Sequence, residues 1–305
     1  MTDAALQRPA VAAKEDERVK VAAPRRPIRP GKIAMYAILI LLALFFILPL
    51  IWMLSSSLKQ GADVYTDQGW IPQNPTLANF EEIFGSAYPV VRWFITSILA
   101  STLGMIGVVA LTSASGYAFA RMDFPGKNIL FTILIATLLL PSVMFLVPQF
   151  LVLLQVGNVI PPVQLGELPS YMLPHLAGVF GVFFMRQFFS TIPVEIEEAA
   201  YIDGAIRFRT FRSVVLPLAG PSIATLAVIT FLAIWNDYLW PLVACSFSNE
   251  QCTLQAGLAY FQGQNTAEYG LLMAGTVVAA LPVLIFYVFA QRYIIQSVAS
   301  AGVKG

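Results

Sequence analysis

Charge is scarce in this sequence. Only 11% of its 305 residues are Asp, Glu, Lys or Arg, whereas 58% are hydrophobic. An ordinary soluble domain carries about 25% charged residues, so this balance excludes a water-exposed globule and points to a bilayer as solvent. A formal net charge of +1 gives no reason to expect nucleic acid or an acidic partner. Histidine occurs once, as His175, which excludes a multi-histidine metal site. A lone histidine near the end of an apolar run reads as a hydrogen-bonded structural residue. There are two cysteines, Cys245 and Cys252, in one segment between apolar runs. Outside the cytoplasm they are free to pair, and spacing leaves a disulfide and two thiols equally open. The chain has no G-x-x-x-x-G-K-[ST] loop, so it lacks the usual means of binding ATP. Nor does it hold paired histidine ligands, a nucleophile motif or carboxylates clustered as a catalytic site would need. No catalytic or metal-ligating residue is assigned, and a non-enzymatic role is expected.

Long apolar runs are what the chain does have. Six lie at about 33–57, 90–115, 129–150, 171–189, 219–243 and 269–291. Each is close to the roughly 20 residues that a helix needs to cross a bilayer core. They are continuous, without the two-residue alternation of a membrane barrel, so helices are expected. If the six alternate, sixteen of the eighteen basic residues fall on one side, and only Lys59 and Arg92 lie opposite. That asymmetry predicts cytoplasmic termini in a multi-pass membrane protein. The first run is too long for a signal peptide and has no convincing cleavage site. Residues 1–31 mix Ala, Pro and both charges, and a disordered cytoplasmic tail is expected there.

Between the first two runs, Thr76 is placed to cap a short helix whose Leu77, Phe80, Ile83 and Phe84 share one face. Pro49, Pro141, Pro148 and Pro282 lie in or near runs. Each reads first as a kink whose freed carbonyls find neighbours, and second as a hinge. In the second run Ala100, Ser101, Gly104, Gly107 and Ala114 form a small-residue face for close helix packing.

The most telling segment is the charged stretch over 193–221 between the fourth and fifth runs. It reads Glu198-Ala199-Ala200-Tyr201-Ile202-Asp203-Gly204, then nine residues, then Val214-Val215-Leu216-Pro217. Pro193 suits the first turn of a helix, and Glu195, Glu197 and Glu198 put negative charge near its positive end. Ile196, Ala199, Ala200 and Asp203 fall on one stripe, Gly204 permits a turn, and Ile206 to Ser213 forms a second helix. Phe208 and Phe211 are expected as apolar knobs, with Arg207, Arg209 and Arg212 around them. A charged hairpin alone fits a lipid surface. Its spacing, however, resembles the EAA loop of ABC-importer permeases, with Val214 where that family usually has Ile. A lipid-binding hairpin needs no glycine at that place and no Leu-Pro after nine residues.

The resemblance continues through Trp235-Asn236-Asp237-Tyr238-Leu239-Trp240-Pro241-Leu242, the run from Gly270 to Tyr293, and the ending Ala301 to Gly305. It covers most of 33–305 and is nearest to MalG-like permease subunits of carbohydrate importers. It implies an all-α membrane protein of six transmembrane helices over 32–305, with a cytoplasmic helix–turn–helix coupling loop at 193–221. It also implies that Glu198, Ala199, Ala200, Asp203, Gly204, Phe208, Leu216 and Pro217 meet a separate ATPase, expected in two copies. ATP and Mg would be used by that ATPase, with no cofactor bound by this chain. The other implied partners are a MalF-like second permease, an extracytoplasmic solute-binding protein and membrane lipid. The solute is expected to be a sugar, with a glycerol-phosphate compound as the alternative. An ion-coupled transporter working alone is the rival, but it would usually need ionisable groups at mid-membrane. Trp235, Asn236, Asp237 and Tyr238 are candidates for the solute pathway, although the aromatics Trp235, Tyr238 and Trp240 also suit an interfacial belt.

Overall fold

The computed structural model describes residues 30–61, 63–85, 88–245, 251–262 and 268–302, and every regular element among them is helical. Two compact units divide the chain, one ending at Leu48 and one running from Pro49. The first is described only over 30–48, the apolar opening of α1 (Pro30–Ser57). Of the tail expected at 1–31, Pro30 and Gly31 are helical; the remainder lies outside the described residues, as do residues 303–305 of the ending.

Two short helices follow, α2 (Asp63–Thr66) and α3 (Ala78–Phe84), and then the 32-residue α4 (Val90–Arg121). The run expected over 129–150 is broken. Helix α5 (Lys127–Thr137) ends in 3₁₀ bonds from Leu138, Leu139 and Leu140 to the carbonyls of Ile135, Ala136 and Thr137. Pro141 forces this: it has no N–H, and its ring would strike the Thr137 carbonyl in a continuing helix. A new 3₁₀ turn from Ser142 leads into α6 (Leu146–Val159), so the stretch long enough to span is Ser142–Val159. The fourth run forms α7 (Leu168–Met172) and a 3₁₀ turn to Leu176. After leaving helical geometry at Ala177 and Gly178, it restarts 46° away as α8 (Val179–Thr191).

The charged stretch forms α9 (Val194–Ile202), α10 (Arg207–Thr210), a π-helical turn over Phe211–Val215, and α11 (Leu216–Leu218). From there α12 (Gly220–Trp235) departs at 78°. The fifth run, expected to stay helical over 219–243, stops at Trp235. The Asn236 amide takes the Leu232 carbonyl at 2.9 Å, and the Pro241 ring would strike the Asp237 carbonyl if the helix continued. The chain resumes as α13 (Leu239–Ala244), α14 (Leu254–Leu258) and α15 (Tyr269–Gly302). Among the described residues, four stretches are thus long and apolar enough to cross a bilayer, and the number reaches six when each of the two bent pairs is taken as one span.

Helix α4 is the spine of the larger unit. Its buried residues recur every three or four positions, from Val90, Trp93 and Ser97 to Gly116 and Tyr117, as a helix covered on one side requires. The expected small-residue face is largely realised. A Cβ on Gly104 would sit 2.7 Å from Ile234 Cδ1, and one on Gly107 would sit 2.6 Å from Leu176 Cδ2. Ala114, however, is exposed. Gly116 takes its place, with room for no side chain against the Arg186 amide nitrogen, 2.9 Å from an added Cβ. Two apolar cores lie along α4. One gathers Trp93, Tyr171, Trp235, Trp240 and Phe261 about its N-terminal half, and the other gathers Tyr117, Met185, Phe189, Val215 and Leu226 at its C-terminal end.

The segment after α1 is held by polar contacts. Asn79 is buried and donates to the carbonyls of Ser57 (2.8 Å) and Lys59 (2.7 Å), satisfying acceptors left over at the end of α1. Thr76 accepts from the Ala78 N–H at 3.2 Å, but the N-cap position of α3 falls on Leu77, so Thr76 stands one place before the expected cap. Only part of the expected apolar face turns inward, since Ile83 is buried while Leu77 and Phe84 are exposed. The buried Lys59 amine donates to the carbonyls of Asp67 and Gly69 at 2.6 and 2.7 Å. The backbone N–H groups of Gly69 and Gln73, with the Lys59 charge behind them, hold the Asp67 carboxyl below its ordinary value.

Candidate functional site

The stretch from Pro193 to Gly220 is a folded hairpin with two faces. Pro193 stands at the N-cap of α9, one place before the expected first turn. The helix ends with Asp203 as its cap and Gly204 at φ +80°. The Gly204 N–H donates to the Tyr201 carbonyl (3.0 Å) and the Ala205 N–H to that of Ala200 (2.9 Å). Those two bonds form a Schellman termination, whose left-handed position favours a residue without Cβ. The sequence-level turn at Gly204 is therefore present, with a specific backbone cause. In the second arm, Pro217 cannot supply an N–H to the preceding turn, and the helix widens to π geometry over Phe211–Val215 just before it.

One face of the hairpin is buried. Glu197 is 3% exposed, and Thr210, Val215 and Ala219 are fully covered. Of the expected contact positions, Glu198, Ala199, Asp203, Gly204, Phe208 and Pro217 are exposed, whereas Ala200 and Leu216 are half-buried. Ile202, Ile206 and Phe208 leave 86%, 71% and 66% of their surfaces uncovered, more apolar surface than an isolated polar hairpin would show. Of the two expected apolar knobs, Phe208 stands outside, whereas Phe211 lies against Tyr117 with ring centroids 4.8 Å apart and packs on the second core.

Glu197 also departs from its expected role. Rather than decorating the helix dipole, its carboxylate turns inward. One oxygen lies 2.8 Å from Arg121 Nε as a contact ion pair, and the other accepts from the Tyr117 hydroxyl at 2.8 Å. Arg121 further donates to the carbonyl of Ile192, the C-cap of α8. Nothing local could have shown this, because Tyr117 and Glu197 are eighty positions apart.

The other candidates lie where α12 ends. Trp235 is a core residue, not a pathway or belt residue: it is 1% exposed, stacks on Phe231 and donates from Nε1 to the Ala279 carbonyl at 3.2 Å. Trp240 is likewise buried, donating to the Ser170 carbonyl at 2.8 Å, so the belt reading fails for both indoles. Asn236 and Tyr238 are exposed. Asp237 Oδ2 lies 3.1 Å from His175 Nε2, and the two side chains keep 18% and 26% of their surfaces open. His175 is thus hydrogen-bonded, as expected. The unforeseen part is where: the pair joins the break between α7 and α8 to the break after α12.

Cys245 and Cys252 form a disulfide, which decides the alternative that spacing left open. Both are fully buried in the first core. Just beyond them, the Leu254 N–H donates to Ser97 Oγ at 2.7 Å and seats α14 against α4. No group of three or more potential metal ligands occurs among the described residues.

The family described as "Binding-protein-dependent transport system inner membrane component" matches residues 112–300, a stretch that includes the hairpin and the α12 break. The arabinooligosaccharides transport system permease protein AraQ of Halalkalibacterium halodurans is 35% identical over 234 residues, which cover 77% of this chain and 81% of that one. The diacetylchitobiose uptake system permease protein NgcG of Streptomyces coelicolor is 32% identical over 267 residues, 86% of each chain. The maltose/maltodextrin permease protein MalG of Escherichia coli is 28% identical, over 88% of this chain and 95% of that one. Among solved structures, a chain from a bacterial ABC transporter that imports the acidic polysaccharide alginate superposes with a TM-score of 0.73. At 22% identity it covers 86% of this chain and 96% of its own, and the likeness is one of fold.

Proposed function

Because the chain belongs to the family of inner-membrane components of binding-protein-dependent transport systems, we propose that it is one permease half of an ATP-driven sugar importer. The observation that carries the mechanism is the two-faced hairpin. Its inner face is locked to α4, α8 and α12, while Glu198, Ala199, Asp203, Gly204 and Phe208 stand outside with exposed apolar neighbours. Such a surface suits a protein cleft better than water. In this reading the six apolar stretches cross the membrane with both termini and the hairpin in the cytoplasm, the side favoured by the basic residues. A separate ATPase, in two copies and using ATP and Mg, grips this hairpin and its counterpart on a second permease. Closure of the ATPase pair then rocks the permeases and opens the pathway to alternate sides. A solute-binding protein delivers the cargo from outside. Sugars are favoured as cargo because relatives at 35%, 32% and 28% identity carry names for arabinooligosaccharides, diacetylchitobiose and maltose or maltodextrin.

The test is reconstitution of the chain with the ATPase and second permease. ATP-dependent uptake of an oligosaccharide, with the ATPase retained through purification, is the expected result. Uptake by this chain alone, or labelling of a cysteine placed at Ile202 only from the outer face, would refute the reading.

His175 and Asp237 belong to the solute-facing wall in this proposal, with Asn236 and Tyr238 beside them. An ionisable pair at two helix breaks is costly against lipid and belongs against water or a polar cargo. A carboxylate paired to one imidazole still has acceptor capacity for sugar hydroxyls. Asp237→Asn is expected to raise the KM for uptake about tenfold or more, as the loss of a hydrogen bond to a charged group does. Uptake measured against sugar concentration in vesicles checks it. An unchanged KM with a lowered thermal midpoint would assign the pair to packing alone.

A further inference from the structure

We propose that Tyr117, Arg121 and Glu197 form the link through which the hairpin moves α4, so that force enters the bundle's spine directly instead of through chain connections alone. The inference rests on the coupling reading above. Tyr117 and Arg121 stand one helical turn apart, on the same face of α4. Both reach Glu197, which lies on the inner side of α9, next in sequence to the outward Glu198. Each carboxylate oxygen has its own partner at 2.8 Å, and Arg121 also holds the Ile192 carbonyl at the end of α8. Only 13% of the Arg121 side chain and 5% of the Glu197 side chain are open.

Burial is what makes this cluster a mechanical part. Separating a buried ion pair strands two charges in apolar surroundings, so the joint resists being pulled apart far more than a surface pair would. The rings of Phe189 and Phe211 pack on Tyr117 and restrict its movement, and Gly116 brings α4 against the backbone of α8 one residue earlier. Displacement of α9 must therefore carry the end of α4 with it. Helix α4 is 32 residues long, about 48 Å at 1.5 Å per residue, and its far end holds Trp93 in the other core. Along the way it touches both broken helices, through Thr112 at Gly181 and Gly104 at Ile234. The link thus joins the face that meets the ATPase to the two helices whose breaks carry His175 and Asp237. Tyr117, Arg121 and Glu197 are positioning residues: they touch neither ATP nor cargo.

The experiment uses the complete transporter in vesicles and reads ATP hydrolysed per oligosaccharide imported. Glu197→Gln keeps the side chain's shape and removes its charge. It is expected to leave the ATPase bound and ATP turnover within about twofold, while uptake falls about tenfold, the scale of a lost coupling interaction. Tyr117→Phe, which loses one hydrogen bond and retains the ring, should raise the ATP-to-sugar ratio about two- to threefold. The exchange Arg121→Glu with Glu197→Arg should recover part of the Glu197→Gln loss. A wild-type ratio in both single variants overturns the link. So does a fall of uptake and ATP turnover in equal proportion with loss of assembled complex, the mark of a structural role only. A wild-type preparation that retains no ATPase would instead sink the coupling reading, and the link with it.

Discussion

Replacing Gly204 by aspartate is expected to leave the subunit in the membrane at wild-type abundance while abolishing uptake. A Cβ at this position meets no atom within 4 Å, so the subunit itself has room for the new side chain. The cost inside the chain is the left-handed backbone, φ +80°, which an L-residue tolerates for about 1–2 kcal/mol. For a protein of this size that corresponds to a fall of only a few degrees, about 2–8 °C, in thermal midpoint. At the proposed contact the consequence is far larger, because a charge enters a turn that a partner must approach closely. Retention of the ATPase through purification should drop at least about tenfold, the cost of one poorly placed buried charge, and cargo-stimulated ATP hydrolysis should vanish. Gly204→Ala separates the two causes, since it carries the backbone strain without the charge. Wild-type retention and stimulation in the aspartate variant would refute the docking role of the turn.

The second large effect is expected far from that surface, at Gly257. An alanine Cβ there would fall 2.2 Å from Cε3 and 2.4 Å from Cδ2 of the Trp93 indole. Neither side can yield easily. Trp93 is 2% exposed in the first core, while α14 is tied on one flank by the buried disulfide and seated by the Leu254 bond to Ser97. Overpacking of this kind costs about 1–3 kcal/mol and sometimes more. Gly257→Ala should lower the thermal midpoint of the purified transporter by about 5 °C or more. In a Trp93→Ala background, where the ring that is struck is gone, Gly257→Ala should cost much less than it does beside the indole, and a purely additive double variant would refute the contact.

Much of this architecture is written locally. Apolar length marks the stretches long enough to span, and the glycine after Asp203 marks the turn because only local bonds to Ala200 and Tyr201 are involved. The breaks are a different matter. Pro141 and Pro241 were visible in sequence, yet an apolar run looks continuous whether or not a proline divides it into two helices. Asn236 settles the end of α12 by taking a carbonyl four residues back, a choice that depends on whether the next turn can form. Trp235 and Trp240 have the composition of an interfacial belt and the position of core residues. What decides between them is the placement of the Ala279 and Ser170 carbonyls on other helices. Phe211 and Phe208 are three residues apart in one helix; only the presence of Tyr117 on α4 assigns one to the core and leaves the other outside. Glu197 and Glu198 are neighbours of the same type with opposite destinations for the same reason. The proposed coupling surface was therefore legible as a pattern, and its division into an anchored side and a free side was not.

The Schellman bonds and the buried underside of the hairpin have one more consequence. In the proposed docking, a hairpin that is already folded before capture gives up little conformational freedom. Association of the nucleotide-hydrolysing subunit should thus follow rigid-body kinetics, a single exponential without a slow ordering phase. Its heat-capacity change should match the apolar area covered rather than that of a segment folding as it binds.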